Sequence, residues 1–387
     1  MNMSYSSRQE YLDVQRRRYA KVLSRQEKSQ IIDETVRTLG YHRKHVIREF
    51  NRTEPKKPKS KHRQKPLYYK EAIPTIQLAW EALDYPCAER LHPVLVATAQ
   101  SLQRHGELVL TPTILDQLGQ ISRATLGRYL ERMETPKAKR RMPRPKPSSG
   151  PLSAVPVERY DWDEQKPGAL EIDLVEHNGG NSHGHFAYTL TVVDIVTGYS
   201  RRRAVLGRGQ AVVVGAIQYL LEEWPFRPWG LHSDNGSEFL NSHLVKFCQS
   251  EELQFTRSRP YKKNDNAHAE QKNRQYVRDF VGYERYDTSE EVEWLNDVYE
   301  HVDLDANLIL PMRKVIAKER RGKKLRKRYD EARTPLQRLI ESGVLSNDTK
   351  QQLLDIQAYI NPLELHRTIS NLIAIGPIQK LEKTVKQ

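Results

Sequence analysis

Three acidic residues lie at positions where a carboxylate suggests a function. Asp173 lies inside the apolar run "ALEIDLVEH", where an ionised carboxylate is expensive to bury unless it is paired or binds a cation. Asp234 ends a predicted strand in "GLHSDNGSEF", and Glu270 lies early in the predicted helix "AHAEQKNRQYVRDFVGY". Mg²⁺ prefers oxygen ligands, and two such ions about 3.5–4 Å apart promote attack on a phosphodiester. The pattern therefore indicates a metal site in which Asp173 bridges two ions, while Asp234 and Glu270 each complete one.

The elements that must position these acids are strands and helices of a mixed sheet. From Ala169 the sequence predicts one strand, then two strands around a Thr197-Gly198 turn, and then helices that alternate with two more strands. This order predicts a sheet with helices on its faces. Because sites collect at strand ends of open sheets, the fold can bring the three acids together. Glu238 is interpreted as an acid at the start of the helix that follows Asp234.

These segments resemble a known family. The motifs "EIDLVEH", "HSDNGSEF" and "YKKNDNAHAEQKN" resemble the three acidic motifs of the DDE integrase-core superfamily, which includes retroviral integrases and many bacterial insertion-sequence transposases. The spacing between the second and third acids is typical of that group, and the resemblance covers roughly 168–310. It implies an RNase H-like fold, and it implies that Asp173, Asp234 and Glu270 are the catalytic metal ligands. Mg²⁺ would be the cofactor, with Mn²⁺ as a substitute. A zinc module is not expected, because the chain has two cysteines, far apart.

The charge of the chain points to a polyanionic partner. Lys and Arg number 63 against 49 Asp and Glu, which gives a net charge of +14. The excess is clustered, and a clustered excess indicates nucleic acid. Two stretches rich in proline and basic residues, 54–66 and 135–151, are predicted to be extended linkers. A third basic run, Arg313–Asp330, has helix-forming composition and is interpreted as a structured arm.

Two N-terminal segments each predict a helix, a short turn containing glycine, and a second helix. This is the helix-turn-helix pattern, in which the second helix enters the major groove of DNA. A plain helical hairpin would give the same pattern. The residues predicted to face DNA in the first segment are Tyr41, His42, Arg43, Lys44 and His45, and those in the second are Arg123, Thr125 and Arg128.

Further cations surround Glu270. Lys262 and Lys263 precede its helix, and Lys272, Asn273 and Arg274 follow it closely. Arg274 lies four residues after Glu270 and therefore shares its face of the helix. We expect these side chains to contact phosphate or bases beside the cut, although surface cations would be an equally ordinary explanation.

The expected fold class is multidomain, with N-terminal all-α helix-turn-helix domains, an α/β RNase H-like core with a mixed sheet, and a basic, helical C-terminal region. The expected boundaries are 1–53 and 67–134 for the two helix-turn-helix domains, 152–310 for the DDE core and 311–387 for the C-terminal region. No run of eighteen apolar residues occurs, and the first residues contain no apolar signal segment, so a cytoplasmic, nucleoid-associated protein without membrane contact is expected.

The expected function is that of a transposase of a bacterial mobile element. It would bind the terminal repeats, cleave a strand by metal-assisted hydrolysis and join the freed 3′-OH to target DNA. The expected partners are double-stranded DNA, at element ends and target, and further copies of the chain in a homodimer or homotetramer. Two alternatives stay open: an RNase H-like nuclease without strand transfer, and a DNA-binding regulator with an inert core.

Overall fold

The structure of the protein is a computed structural model that describes residues 3–52, 69–133, 166–234, 236, 238–239, 241–258, 266–321 and 324–377. The chain forms two compact units, Met1–Tyr68 and Tyr69–Gln387. The predicted linkers 54–66 and 135–151 lie outside the described residues, as do Lys262 and Lys263.

The first unit is a small three-helix cluster. Its helices are α1 (Tyr5–Lys21), α2 (Arg25–Leu39) and α3 (Arg43–Phe50). Each helix contributes apolar side chains to a shared core, in which Leu12 of α1, Ile32 of α2 and Val46 of α3 are buried. Gly40 ends α2 with a φ of 68°, a left-handed conformation that glycine adopts without steric cost, so the chain can turn at once into α3.

The second unit begins with a helical region that shares its core with the end of the chain. Leu126 and Leu130 belong to the same buried cluster as Leu363 and Ile369. The helices of this region are α4 (Ile73–Ala82), α5 (Ala88–Leu91), α6 (Leu95–Arg104), α7 (Pro112–Gln120) and α8 (Arg123–Leu130), with a 3₁₀ turn at His92–Val94. The region is therefore packed as part of the second unit.

The centre of the second unit is a five-stranded mixed sheet, as the sequence predicts. The strand order is β3-β2-β1-β4-β5; β1 is antiparallel to β2, β2 is antiparallel to β3, and β1, β4 and β5 run parallel. The strands are β1 (Ala169–Glu176), β2 (Ala187–Asp194), β3 (Ser200–Leu206), β4 (Gly230–Ser233) and β5 (Gln254–Arg257).

Helices cover both faces of this sheet because side chains alternate along each strand. Leu170 and Ile172 of β1 point to a core that includes residues of α9 (Gln210–Glu222) and α10 (Ser242–Ser250). Val175 belongs to the opposite core, which includes residues of α13 (Ser289–Leu304). Glu171 and Asp173 alternate with Leu170 and Ile172 and so share the face of Val175. The remaining elements on that side are α11 (Ala267–Lys272), a π-helical stretch (Asn273–Arg278), α12 (Asp279–Val281), and a second π-helical stretch after α13 (Asp305–Ile309).

The outer edge of β3 is closed by side chains of α13 and the π-helical stretch that follows it. Asn296 bonds both backbone groups of Ala204, at 2.8 and 3.1 Å, and Asn307 bonds both backbone groups of Ser200, at 2.9 and 2.8 Å. Between them, Asp303 accepts from the backbone of Arg202 and forms a buried ion pair with its side chain. Because these groups occupy the edge, no further strand can pair there.

The C-terminal region departs from the sequence prediction at the basic run Arg313–Asp330. The run forms a β-hairpin of β6 (Val315–Arg321) and β7 (Lys324–Tyr329), not a helix. Lys, Arg and Leu favour helices, but β-branched Val315 and Ile316 favour strands. The helices that follow are α14 (Pro335–Ser342), α15 (Asn347–Tyr359) and α16 (Pro362–Ile375). None of the described helices has the length and apolar composition that a membrane crossing requires.

Candidate active site

Asp173 of β1 lies beside Asp234, which directly follows the neighbouring parallel strand β4. The register pairs Ile172 of β1 with Ser233 of β4, and each acid is the next residue along its chain. Aligned residues of parallel strands point to the same face of a sheet. The two carboxyl groups, separated by sixty residues of sequence, therefore meet at one place.

A third acid, Glu171, fixes the helix that carries Glu270. Its Oε2 accepts hydrogen bonds from the backbone N–H groups of His268 and Ala269, at 2.8 and 2.9 Å. N–H groups in the first turn of a helix such as α11 have no acceptor within the helix, and Glu171 supplies one. Sequence reasoning missed Glu171, although its spacing of two residues from Asp173 indicates that both point to the same face of β1.

The same helix is tied to β1 at two further points. The Asn266 amide donates to the carbonyl of Ile172 at 3.2 Å, and the Asn273 amide donates to Asp173 Oδ2 at 2.7 Å. Glu270 lies between these anchors and is exposed to solvent. The π-helical stretch begins at Asn273, and such stretches often occur at functional sites.

The electrostatics of the cluster are unfavourable for anions. Burial raises the pKa of Asp173 to about 8, with the charge of Asp234 as the next cause and Glu270 as a further one. Burial also raises the pKa of Glu171 to about 8. The pKa of Asp234 is raised by burial, with contributions from Glu238 and Glu270. Glu270 thus disfavours the charged forms of both aspartates, and Asp234 disfavours that of Asp173.

The oxygen atoms that this cluster offers as metal ligands fit a hard divalent cation. All are carboxylate oxygens, the ligand type that Mg²⁺ prefers, and a bound cation would offset their repulsion. The Asp173 oxygens each accept one hydrogen bond, from Leu174 N–H and from Asn273, which leaves lone pairs for a metal. Within the described part of the chain, no three His, Cys, Asp or Glu side chains already have metal-ligand spacing, so the carboxylates would have to close around an ion.

The turn after β4 brings a further carboxylate to Asp234. Gly236 N–H donates to Asp234 Oδ1 at 2.9 Å. A Cβ on Gly236 would lie 2.6 Å from Glu238 Oε1 and 3.0 Å from Asp234 Oδ1, so a side chain there would displace one of them. Glu238 was expected at the start of a helix, but α10 begins at Ser242. Glu238 instead lies in the turn before the helix and faces Asp234.

Two of the predicted DNA contacts near Glu270 have other partners in the structure. Lys272 is 5% exposed, and its Nζ lies 4.9 Å from the ring centroid of Tyr276. Burial lowers the pKa of Lys272 to about 7. Asn273 is 7% exposed and bonds Asp173. In this structure both side chains are thus buried against the protein. Arg274 is exposed, as its predicted role requires.

In the first predicted helix-turn-helix segment, α2 and α3 are joined by a short turn. His42 caps α3 by accepting from Lys44 N–H at 3.2 Å. Arg43 forms an ion pair with Asp33 of α2, while Lys44 is exposed. His45 is half-buried, with its ring 5.1 Å from that of Tyr41. Lys44 is therefore the cation of this helix start without an ion pair among the described residues.

In the second segment, α7 and α8 are separated by two residues. Ser122 caps α8 by accepting from Thr125 N–H at 3.2 Å. Arg123 and Arg128 are both exposed, and Arg128 donates to the Thr125 hydroxyl at 2.9 Å. The exposed face of α8 thus carries two cations that are available to a ligand.

One relative covers most of this chain. The uncharacterized protein y4rM of Sinorhizobium fredii is 37% identical over 316 residues, which are 81% of this chain and 90% of that protein. No protein-family model matches the chain.

Solved structures similar to the chain are retroviral integrase catalytic cores. The catalytic core of BIV integrase gives a TM-score of 0.29 at 15% identity, over 46% of this chain and 95% of that one. The catalytic core of HTLV-2 integrase, in complex with magnesium and in dimeric form, gives 0.29 at 13% identity, over 38% of this chain and 90% of that one.

Proposed function

This chain belongs to the family of the Sinorhizobium fredii protein y4rM, and we propose that it is a metal-dependent polynucleotidyl transferase that acts on DNA. The observation that carries the proposal is that the register sets Asp173 beside Asp234 while hydrogen bonds to Glu171 and Asp173 tie the helix of Glu270 to β1, in a chain with a net charge of +14. Carboxylates that disfavour one another's charged forms, in a strongly basic chain, suit a protein that takes a divalent ion together with a polyanion.

The residues of the chain would divide the work of such a site. Asp173, Asp234 and Glu270 would hold Mg²⁺, which when bound activates the attacking oxygen and stabilises the leaving one. Asn273 would orient Asp173 through its hydrogen bond, and Glu171 would hold the helix of Glu270 against β1. No covalent bond between the protein and DNA is needed, so no Ser or Tyr nucleophile takes part.

At finer detail we propose a transposase of the DDE type. The exposed cations of α3 and α8 would bind the ends of a mobile element, and the freed 3′-OH would attack target DNA at the same site. Because two ends must be processed together, at least two copies of the chain would act as one assembly. The resemblance of the three acidic motifs supports this reading.

The test uses labelled duplexes taken from both flanks of the coding region. With Mg²⁺, the wild type should nick the duplex and then yield longer joined products, while Asp234→Asn should bind the same duplex and do neither. Hydrolysis that never gives joined products would favour the nuclease. Cleavage that is unchanged in Asp234→Asn would reject the catalytic assignment, and binding without any cleavage by the wild type would favour the regulator.

A further inference from the structure

The β6–β7 hairpin is rich in positively charged residues that have no role in the proposed catalytic site. From Val315 to Tyr329, eight of fifteen residues are Lys or Arg and one is acidic. Among the described side chains, Arg320, Arg326, Lys327 and Arg328 are all exposed. Such a concentration of like charge repels itself, and a bound counter-charge relieves that repulsion.

Both faces of the hairpin are basic. The register pairs Lys318 with Lys327 and Glu319 with Arg326. Since residues alternate between faces, Arg320 and Lys327 belong to one face, while Arg326 and Arg328 belong to the other. Neither face can pack into an apolar core, and the hairpin is therefore a surface element on both sides.

The base of the hairpin is fixed to the catalytic core. Lys314 Nζ donates to the carbonyl of Ile195, after β2, at 2.9 Å, and Lys314 N–H donates to Asp330 Oδ1 at 2.6 Å. Asp330 forms an ion pair with Arg338 of α14 at 2.7 Å. These contacts join the two ends of the hairpin to each other and to the core. The charged ribbon is thus presented in a defined position and is not a loose tail.

The base also contacts the helix of the candidate active site. Lys272, which follows Glu270 on α11, places its Nζ 3.9 Å from the sulfur of Met312. Met312 pairs with Arg333 through backbone hydrogen bonds of 2.9 and 3.0 Å just outside the hairpin. DNA held by the ribbon would therefore be held by the same compact unit that carries the acids.

We propose that the β6–β7 hairpin is a separate DNA-binding element that grips the phosphates of a duplex without reading its sequence. The inference rests on the proposed function, because it takes DNA as the partner. The shape agrees with the charge: the major groove of B-DNA, about 12 Å wide, admits a two-stranded β-ribbon. A second copy of the ribbon is a poor partner, because pairing would set like charges opposite each other.

The experiment compares two full-length variants of equal charge. In the first, Arg320, Arg326, Lys327 and Arg328 are changed to Gln. In the control, four exposed basic residues elsewhere in the second unit are changed to Gln: Lys70, Arg104, Lys246 and Lys350. Affinity for a duplex of arbitrary sequence is measured by fluorescence anisotropy over a series of KCl concentrations, with thermal unfolding as the check on folding.

The hairpin variant should bind at least tenfold more weakly at low salt. The slope of log affinity against log salt should become shallower by about 2 to 4, since each phosphate contact contributes about 0.9. The control variant should keep a slope close to that of the wild type. Replacing Arg320, Arg326 and Arg328 by Lys should also keep the slope, because phosphate contacts need the charge and not the guanidinium plane.

Three results would overturn the inference. A hairpin variant whose slope equals that of the control would show that the ribbon does not contact DNA, while a steep wild-type slope would leave the proposed function standing. A slope that falls in the Lys variant would reject sequence-independent phosphate binding. A hairpin variant that loses self-association in sedimentation, with an unchanged slope, would make the ribbon an interface between copies. A flat slope in the wild type itself would instead reject the proposed function.

Discussion

The Asn273 side-chain amide donates a 2.7 Å hydrogen bond to Oδ2 of Asp173, across one hundred residues of sequence. The donor is 7% exposed, and it lies at the first position of a π-helical stretch. A hydrogen bond to a carboxylate favours its charged form and fixes its orientation. Asn273 is therefore placed to counter the burial that raises the pKa of Asp173, and to aim the remaining lone pairs of Asp173 at an ion.

Changing Asn273 to Ala should weaken the site without unfolding the protein. Partners of this kind at metal sites typically contribute about 10- to 100-fold in metal affinity or activity. We expect Mg²⁺-dependent cleavage to fall within that range, and the Mg²⁺ concentration for half-maximal cleavage to rise. A structural role alone would change stability and leave the Mg²⁺ dependence as it is. Changing the exposed neighbour Gln271 to Ala is the matched control.

The Glu171 carboxylate should be required for α11 to pack in place against β1. Changing it to Ala removes the acceptor of the part-buried His268 N–H and of the buried Ala269 N–H, which costs about 1–3 kcal/mol, whereas Gln keeps one acceptor oxygen. Urea unfolding should therefore rank the wild type and Glu171→Gln above Glu171→Ala. Equal stability of the two variants would mean that these hydrogen bonds do not hold the helix.

The sequence predicts the position of some residues of this arrangement but not of others. Alternation of apolar side chains predicts β1 and the core faced by Leu170 and Ile172, because burial decides that pattern. Glu171 was missed because an acid in an apolar strand does not reveal whether it binds a metal or a helix end. Asn273 and Lys272 were predicted to contact DNA because helical spacing gives the side chains that share a face, while only the tertiary packing decides which face meets the sheet.

The basic hairpin shows the same limit in another form. The composition of Arg313–Asp330 favours a helix, and local propensity is a weak guide when partners decide the structure. The hydrogen bond between Lys314 and Asp330 joins residues sixteen apart in sequence, and Lys314 also bonds Ile195 of the core. No local pattern contains them.

A buried acid outside the candidate site gives a prediction about pH. Asp305 is 3% exposed, its Oδ1 has no hydrogen-bond partner among the described groups, and burial raises its pKa to about 8, with Asp84 as a further cause. Its folded pKa lies above its unfolded value, so its contribution to stability is full below about pH 4 and is lost as the pH rises through about 8. Asp305→Asn removes this titration.

The stability of Asp305→Asn relative to the wild type should therefore rise between about pH 4 and pH 8, by at most roughly 1.4 kcal/mol per pH unit. The measurement is urea unfolding at several pH values in that interval. Asp348→Asn, at an exposed position on α15, is the control and should show no such trend. A constant difference between Asp305→Asn and the wild type would contradict a buried, neutral Asp305.

The exposed cations of α8 should contribute to DNA binding. Arg123 and Arg128 are both exposed on α8, the helix that Ser122 caps. Replacing both by Ala should reduce the slope of log affinity against log salt by up to about 2, if each contacts one phosphate. If these side chains also contact bases, the affinity for the ends of the mobile element should fall more than the affinity for other DNA. Arg104→Ala, at an exposed site on α6, should leave both properties unchanged.

Metal binding should be visible as stabilisation, without any assay of activity. A ligand that binds only the folded state stabilises it by RT ln(1 + [L]/Kd), about 2.7 kcal/mol at one hundred times Kd. Because Asp173, Asp234 and Glu270 repel one another as anions, Mg²⁺ should raise the thermal midpoint of the wild type, and more so at pH above about 8, where Asp173 is ionised. Asp173→Asn and Asp234→Asn should lose this response, whereas Asp348→Asn should keep it. If Mg²⁺ stabilises all four proteins equally, the ion binds elsewhere, and the three carboxylates are not its ligands.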